Sequence, residues 1–306
     1  MGSWDEAWYG AIAKNLLSGG NPFRLYFAGQ PYFDHPPLGF WLQAMALKIF
    51  GVTEFGVRFP AAFLGFATLI VVYLLGKKIF TRAVGLFSAL GLAVAPWFLL
   101  RSRSGNFDLP LTFFFALSFY LAYISAENKK YLYALGLSLS LLFLTKSLVP
   151  FVILPSLAVI LWPKVKPKDL IKPLILFLVL PSLWFLFNWQ VKPDLWRHYL
   201  AIGFPASNGP LNLWQNVLNA KVYFHHGIGN WFRLGFVAVV FGTVLFRRKF
   251  LPLSLFIVLF LLPFAVSSRG QIWHFIPVYP FWILLMFGFC EQFMQKIIKS
   301  KKDTPV

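Results

Sequence analysis

Nine apolar segments run through the chain, at roughly 59–76, 83–100, 110–126, 131–146, 148–162, 173–187, 232–246, 251–267 and 275–290. Most are separated by short loops that concentrate Lys and Arg, and that alternation restricts the fold to a bundle of membrane helices. Several segments hold only about 15–17 residues, near the lower limit of about 17 for a helix that crosses a bilayer. Only 12% of residues are charged, half of the about 25% found in a soluble globule. With 37 Phe and 12 Trp, the composition suits a protein whose solvent is lipid. The expected class is an all-α polytopic membrane protein of about nine spans.

A net charge of +18 would point to nucleic acid in a soluble protein. Here the charge sorts by loop. Lys77, Lys78 and Arg82, then Lys129 and Lys130, then Lys164, Lys166, Lys168 and Lys172, then Arg247, Arg248 and Lys249, then Lys296, Lys299, Lys301 and Lys302 fall on one side. The positive-inside rule places that side in the cytoplasm, with the N-terminus outside and the C-terminus inside. The basic excess is thus explained by a membrane, and nucleic acid is not expected as a partner. The single cysteine, Cys290, excludes a disulfide framework and a cysteine metal site.

Three regions follow. Residues 1–58 read as a first extracytoplasmic loop, 59–290 as the transmembrane domain with an outer loop at 188–231, and 291–306 as a basic cytoplasmic tail. Within the first, 7–17 and 38–50 have helical spacing but are too short to span. Their Trp8, Tyr9, Trp41 and Lys48 suit helices lying at the membrane interface.

This topology puts every candidate reactive group on the outer side, while the centres of the nine segments carry no ionisable residue. That favours a surface active site over a transport path. Asp5 and Glu6 are adjacent and cannot share a helix face, so one can serve as base while its neighbour orients the loop or a metal; they equally suit the dipole of a helix start. Asp34 and His35 are possible ligands of a divalent metal, although neighbours in an extended chain point apart. Arg101, Arg103 and Asp108 share a short loop at the depth of lipid phosphates, which guanidinium groups bind bidentately. Lys146, Arg269 and His274 complete the set of phosphate or sugar contacts, each with interfacial snorkelling or plain loop packing as the simpler reading. Ser-His-Asp and Gly-rich phosphate signatures are missing.

In order, Asp5-Glu6-Ala7-Trp8-Tyr9, then Gly29-Gln30-Pro31-Tyr32-Phe33-Asp34-His35-Pro36-Pro37-Leu38, then Val57-Arg58-Phe59-Pro60 resemble the first outer loop of one group of membrane glycosyltransferases. The group holds the protein O-mannosyltransferases and the lipid A aminoarabinose transferases of the GT-C superfamily. Arg103 to Asp108 and Leu144-Thr145-Lys146 extend the likeness, which is good over about residues 4–160. It implies a GT-C-like helix bundle that moves a sugar from a polyprenyl-phosphate donor to a lipid, glycan or protein acceptor on the outer face, with inversion. It further implies Asp5 as the catalytic carboxylate, Glu6 as its support, and Asp108 as the group orienting the acceptor or Arg58. Arg58, Arg103, Lys146, Arg269 and His274 would hold the donor phosphate.

The chain departs from the pattern at three points. His35 stands where lysine is usual, His274 where tyrosine is common, and no span precedes Asp5. The last point carries the expectation of a truncated, inactive copy as one alternative. A lipid-linked-sugar carrier or flippase that transfers nothing is the other.

Overall fold

The computed structural model describes residues 4–19, 21–162, 164–203, 212–266 and 270–302. The chain begins with α1 (Trp4–Leu16), a two-residue antiparallel pair β1 (Tyr26–Phe27) and β2 (Gln30–Pro31), and α2 (Leu38–Phe50). Then come α3 (Glu54–Ile79), α4 (Arg82–Ala93), α5 (Pro96–Ser102), α6 (Asp108–Ser125), α7 (Leu132–Thr145), α8 (Leu154–Leu161) and α9 (Pro167–Asn188). The remainder is α10 (Leu195–Gly203), α11 (Leu213–Ile228), α12 (Trp231–Leu245), α13 (Arg247–Val266), a 3-10 turn at Ile272–Val278, and α14 (Tyr279–Lys302).

Local chemistry sets the breaks. Thr53 starts α3 by accepting from the Gly56 N–H at 3.2 Å, and Thr81 starts α4 by accepting from Val84 at 3.3 Å. Such caps satisfy amides that have no carbonyl one turn back. Pro96 forces extended backbone on Ala95 (φ −68°, ψ 123°), so α4 and α5 meet at 69° instead of running through. At the α3–α4 crossing, a Cβ on Gly76 would lie 2.5 Å from the Gly85 Cα. Only a glycine pair permits that backbone approach, the usual device for close contact between helices in lipid.

Among the described residues, five helices are long and apolar enough to cross a membrane: α3, α6, α9, α13, and the stretch Ile272–Ile298. The count rises to seven if each bent pair, α4 with α5 and α11 with α12, is one span. Each of the nine apolar segments carries helix among the described residues, but α7, at 14 residues, rises only about 21 Å against a hydrocarbon core of about 30 Å. The stretch 188–231, expected as a loop, carries α10 and α11. Its scattered Lys, His and Asn depress hydropathy and hide the helical pattern.

Most of α6, 72% of its apolar window, is buried, against 17% for α9, so α6 is the central post and α9 a peripheral one. Phe119 of α6 meets Phe256 of α13 and Phe281 of α14 at centroid distances of 5.3 and 4.7 Å. Ser118 and Ser138 share a hydrogen bond of 2.9 Å between α6 and α7, and Thr243 donates to Ser254 at 2.7 Å between α12 and α13. Bonds of this kind hold helices in lipid at about 0.6–2 kcal/mol each. The amino-terminal segment closes one end of this bundle: α1 packs on α2, and α2 on α3 and α7.

Candidate active site

The site assembles at the end of the bundle where α3 and α6 begin. Glu6, in the first turn of α1, is 2% exposed and reaches Arg58 of α3 with both oxygens, at 2.5 and 3.1 Å. The same carboxylate accepts from the Gly105 N–H at 3.0 Å, so it ties α1 to α3 and to the turn before α6. A side chain at 105 would put its Cβ 2.4 Å from a Val57 methyl, which explains glycine there. Arg58 also pairs with Glu54 at 3.0 Å, so its guanidinium faces two carboxylates.

With Glu6 turned to Arg58, its neighbour Asp5 points to a different side of α1 and is half-buried. Tyr9 lies one helical turn from Asp5 on the same face. Its ring stacks on Phe107 at 4.4 Å and meets Phe40 edge-on at 5.6 Å, while its hydroxyl bonds to His35 Nε2 at 2.9 Å. Asp5, Asp108, Arg101 and Asp34 all lie within electrostatic reach of this phenol, whose pKa is raised, first by burial and then by those carboxylates. Tyr9 therefore keeps its proton. His35 is pushed down to about 3, first by burial and then by the charge of Lys146, and is neutral at ordinary pH. When Tyr9 donates to Nε2, the imidazole proton sits on Nδ1.

Arg101, at the end of α5, and Asp108, at the start of α6, are both buried and approach to 3.4 Å. With the Asn106 amide turned to suit its neighbours, its nitrogen donates to Asp108 Oδ2 at 3.1 Å and its oxygen accepts from Arg101 Nη1 at 2.8 Å. The Arg101 guanidinium lies 4.5 Å from the centroid of Trp273, which gives the planar cation an aromatic face. Asp108 thus faces Arg101 rather than Arg58.

Lys146 follows the last turn of α7, half-buried, and forms no ion pair or hydrogen bond through its ammonium among the described residues. His35, His274 and Asp108 lie within its electrostatic reach. His274 accepts from the Gln271 N–H at 3.2 Å and stacks on Phe264. Asp34 is exposed and bonds to His198 of α10 at 3.0 Å, away from the partner of His35. No three His, Cys, Asp or Glu converge as a metal site among the described residues. Arg103 is exposed. Arg269 lies outside the described residues.

Asp5, Asp108, Lys146, His35 and His274 therefore share one region, whereas Glu6 and Arg58 form a brace beside it. Sequence reading took Tyr9 as an interfacial aromatic and gave Asn106 and Trp273 no role of their own. For Tyr9 the available signal was its spacing of four from Asp5; for the other two no signal precedes the fold.

The opposite end of the bundle is basic. Lys78 pairs with Glu127, and Lys129 with Asp169 at 2.6 Å, one length of α6 away from the site, about 27 Å.

Comparison with known proteins places this architecture. The family described as dolichyl-phosphate-mannose-protein mannosyltransferase matches residues 34–191. A protein of Aquifex aeolicus, described only as uncharacterized, is 36% identical over 172 residues, 55% of this chain and 34% of its own length. An undecaprenyl phosphate-alpha-4-amino-4-deoxy-L-arabinose arabinosyl transferase of Pseudomonas savastanoi is 27% identical over 212 residues, 65% of this chain and 40% of its own. Among solved structures, ArnT from Cupriavidus metallidurans bound to undecaprenyl phosphate superposes with a TM-score of 0.81 at 17% identity, covering 95% of this chain and 56% of that one. The archaeal oligosaccharyltransferase AglB from Archaeoglobus fulgidus, in complex with an inhibitory peptide and a dolichol-phosphate, gives 0.61 at 15%, covering 98% and 48%. The chain spans well under two thirds of the length of each.

Proposed function

Because the chain belongs to the dolichyl-phosphate-mannose-protein mannosyltransferase family of GT-C glycosyltransferases, we propose that it moves a hexosyl or pentosyl group from polyprenyl phosphate to a lipid, glycan or protein hydroxyl. The basic loops at the far end of the bundle support a cytoplasmic position for that end and for the C-terminus, with the site extracytoplasmic. The observation that carries the reading is Lys146: a half-buried ammonium with no ion pair among the described residues, beside neutral His35 and the Arg101–Asp108 pair, is a seat for a phosphate.

The chemistry follows from charge. The acceptor hydroxyl attacks the anomeric carbon while Asp5 takes its proton. The bond from that carbon to the phosphate oxygen breaks, its electron pair stays on the phosphate, and the configuration inverts. Lys146, with Arg101 near it, neutralises the charge that develops on the leaving group, the role in which fixed cations lower barriers most, while neutral His274 offers a hydrogen bond. Asp108 holds Arg101 and orients the acceptor. Glu6 and Arg58 act at a distance, by fixing the turn of α1 that presents Asp5. Nothing in this sequence needs a covalent enzyme intermediate; positioning and electrostatics suffice.

Purified protein given a lipid-linked sugar and an acceptor extract should release polyprenyl phosphate. Asp5→Asn should lower kcat by about 10²–10⁴-fold, the range for a lost general base. Unchanged turnover would remove Asp5 from the chemistry, and transbilayer movement of the donor without transfer would make the protein a carrier.

A further inference from the structure

A cavity lined by no carboxylate among the described residues lies in the second half of the chain. Helices α11, α12 and α13, closed by Phe275 and Trp282, enclose a groove of about 900 Å³, at the upper end of small-molecule sites. Its walls along α12 and α13 are apolar, with Phe236, Val240, Val258 and Leu262. Lys221, His225 and Arg233 line it where α11 turns into α12 through 117°, and no carboxylate lines it among the described residues. Lys221 and Arg233 have no hydrogen-bonding or ionic partner for their charged groups among those residues either. The cations gather at the end where α13 gives way to the 3-10 turn at Ile272–Val278, which is also the end that carries the site.

The outline is that of one amphiphile: an anionic head at the level of the bilayer surface and an aliphatic tail along two helices. We propose that the groove binds an anionic glycerophospholipid of the surrounding bilayer, with its phosphate on Lys221 and Arg233 and an acyl chain between α12 and α13. Charge selects the occupant. A zwitterionic lipid brings an ammonium group to two uncompensated cations, whereas a lipid of net charge −1 neutralises one of them. Snorkelling alone also places Lys and Arg at this depth, but it creates no slot below them and no preference among lipids. The polyprenyl carrier is the other long anion at hand. The proposed reaction puts its phosphate at Lys146, near His274, whereas the next residue, Phe275, lines this groove. The proposal needs no transfer chemistry and stands or falls separately from it.

Native mass spectrometry of the full chain, extracted in mild detergent and titrated with phosphatidylglycerol or phosphatidylcholine of equal chain length, reads the preference directly. Phosphatidylglycerol should be retained about tenfold more tightly. The double variant Lys221→Gln/Arg233→Gln should erase that preference, and Lys221→Arg/Arg233→Lys should keep it. Val258→Trp, which fills the slot and leaves both cations, should also release the lipid. Equal retention of the two lipids, a preference that survives the Gln pair, or retention unaffected by Val258→Trp would overturn the proposal. So would displacement of phosphatidylglycerol by an equal concentration of polyprenyl phosphate, which would hand the groove to the carrier.

Discussion

Tyr9 and His35, twenty-six residues apart, are joined by a hydrogen bond of 2.9 Å. Burial and the charges around them set the protonation of each. Burial, and then Asp5 and Asp108, keep the phenol protonated, while burial and then Lys146 keep the imidazole neutral at ordinary pH. A neutral donor–acceptor pair results at the centre of an otherwise charged site.

The first prediction concerns pH. The pKa of His35 is lowered by folding, from 6.5 to about 3. Between those values the unfolded chain binds a proton that the folded chain refuses, so the His35 contribution to stability is present above the unfolded value and is lost as pH falls. Thermal unfolding in detergent, followed from pH ~6.5 down to ~5, should show a smaller loss of Tm in His35→Gln than in the parent. Identical slopes in the two proteins would contradict the assignment of a neutral His35.

Removing Lys146 tests the same coupling from the other side. Its charge is the second cause of the depressed His35 pKa, so Lys146→Gln should raise the His35 titration midpoint, measured by NMR of a protein labelled at histidine. The same variant should lose about 100-fold in kcat/KM for the lipid-linked donor, the scale for one lost group that stabilises developing charge. A midpoint that does not move would separate Lys146 from the site.

The brace makes a prediction about stability. Glu6→Gln leaves Arg58 with Glu54 alone and weakens the bond from Gly105. Breaking a buried pair costs about 3–5 kcal/mol; because Arg58 is 32% exposed, the expected loss is about 2–3 kcal/mol. Chemical denaturation in mild detergent checks it. Gly105→Ala should cost about 1–3 kcal/mol through its clash with Val57.

Arg101→Lys retains the charge but gives up the planar group that meets Asp108, Asn106 and Trp273 together. Activity should fall about tenfold or more while stability changes little, since the guanidinium geometry, and not its charge alone, is what is lost. Wild-type kinetics in this variant would reduce Arg101 to a packing role.

Sequence alone was informative where a signal is local. The helices α3, α6, α9, α13 and α14 were legible because each is a long apolar run, and Asp5 and Asp108 drew attention as two of only ten Asp and Glu residues. Spans proved harder to count. Pro96 splits one apolar run at 69°, and α11 is too polar to register although it forms a bent pair with α12. Pairings were least legible. The resemblance implied a phosphate contact for Arg58, and its carboxylate partner in α1, fifty-two positions upstream, left no local signal. Nothing along the chain records that Asp108 meets Arg101 while Glu6 meets Arg58.

That last contact has a consequence for assembly. The acceptor carboxylate in α1 finds its backbone partner, Gly105, ninety-nine residues later. During synthesis the amino-terminal segment must wait until α3, α4 and α5 have been made and placed before Glu6 can dock. Long-range closures of this kind come late and slowly, and chains fold from the amino terminus as they emerge. Glu6 is thus made well before the partner that holds it, and the turn of α1 that carries Asp5 is set in place only with that late contact.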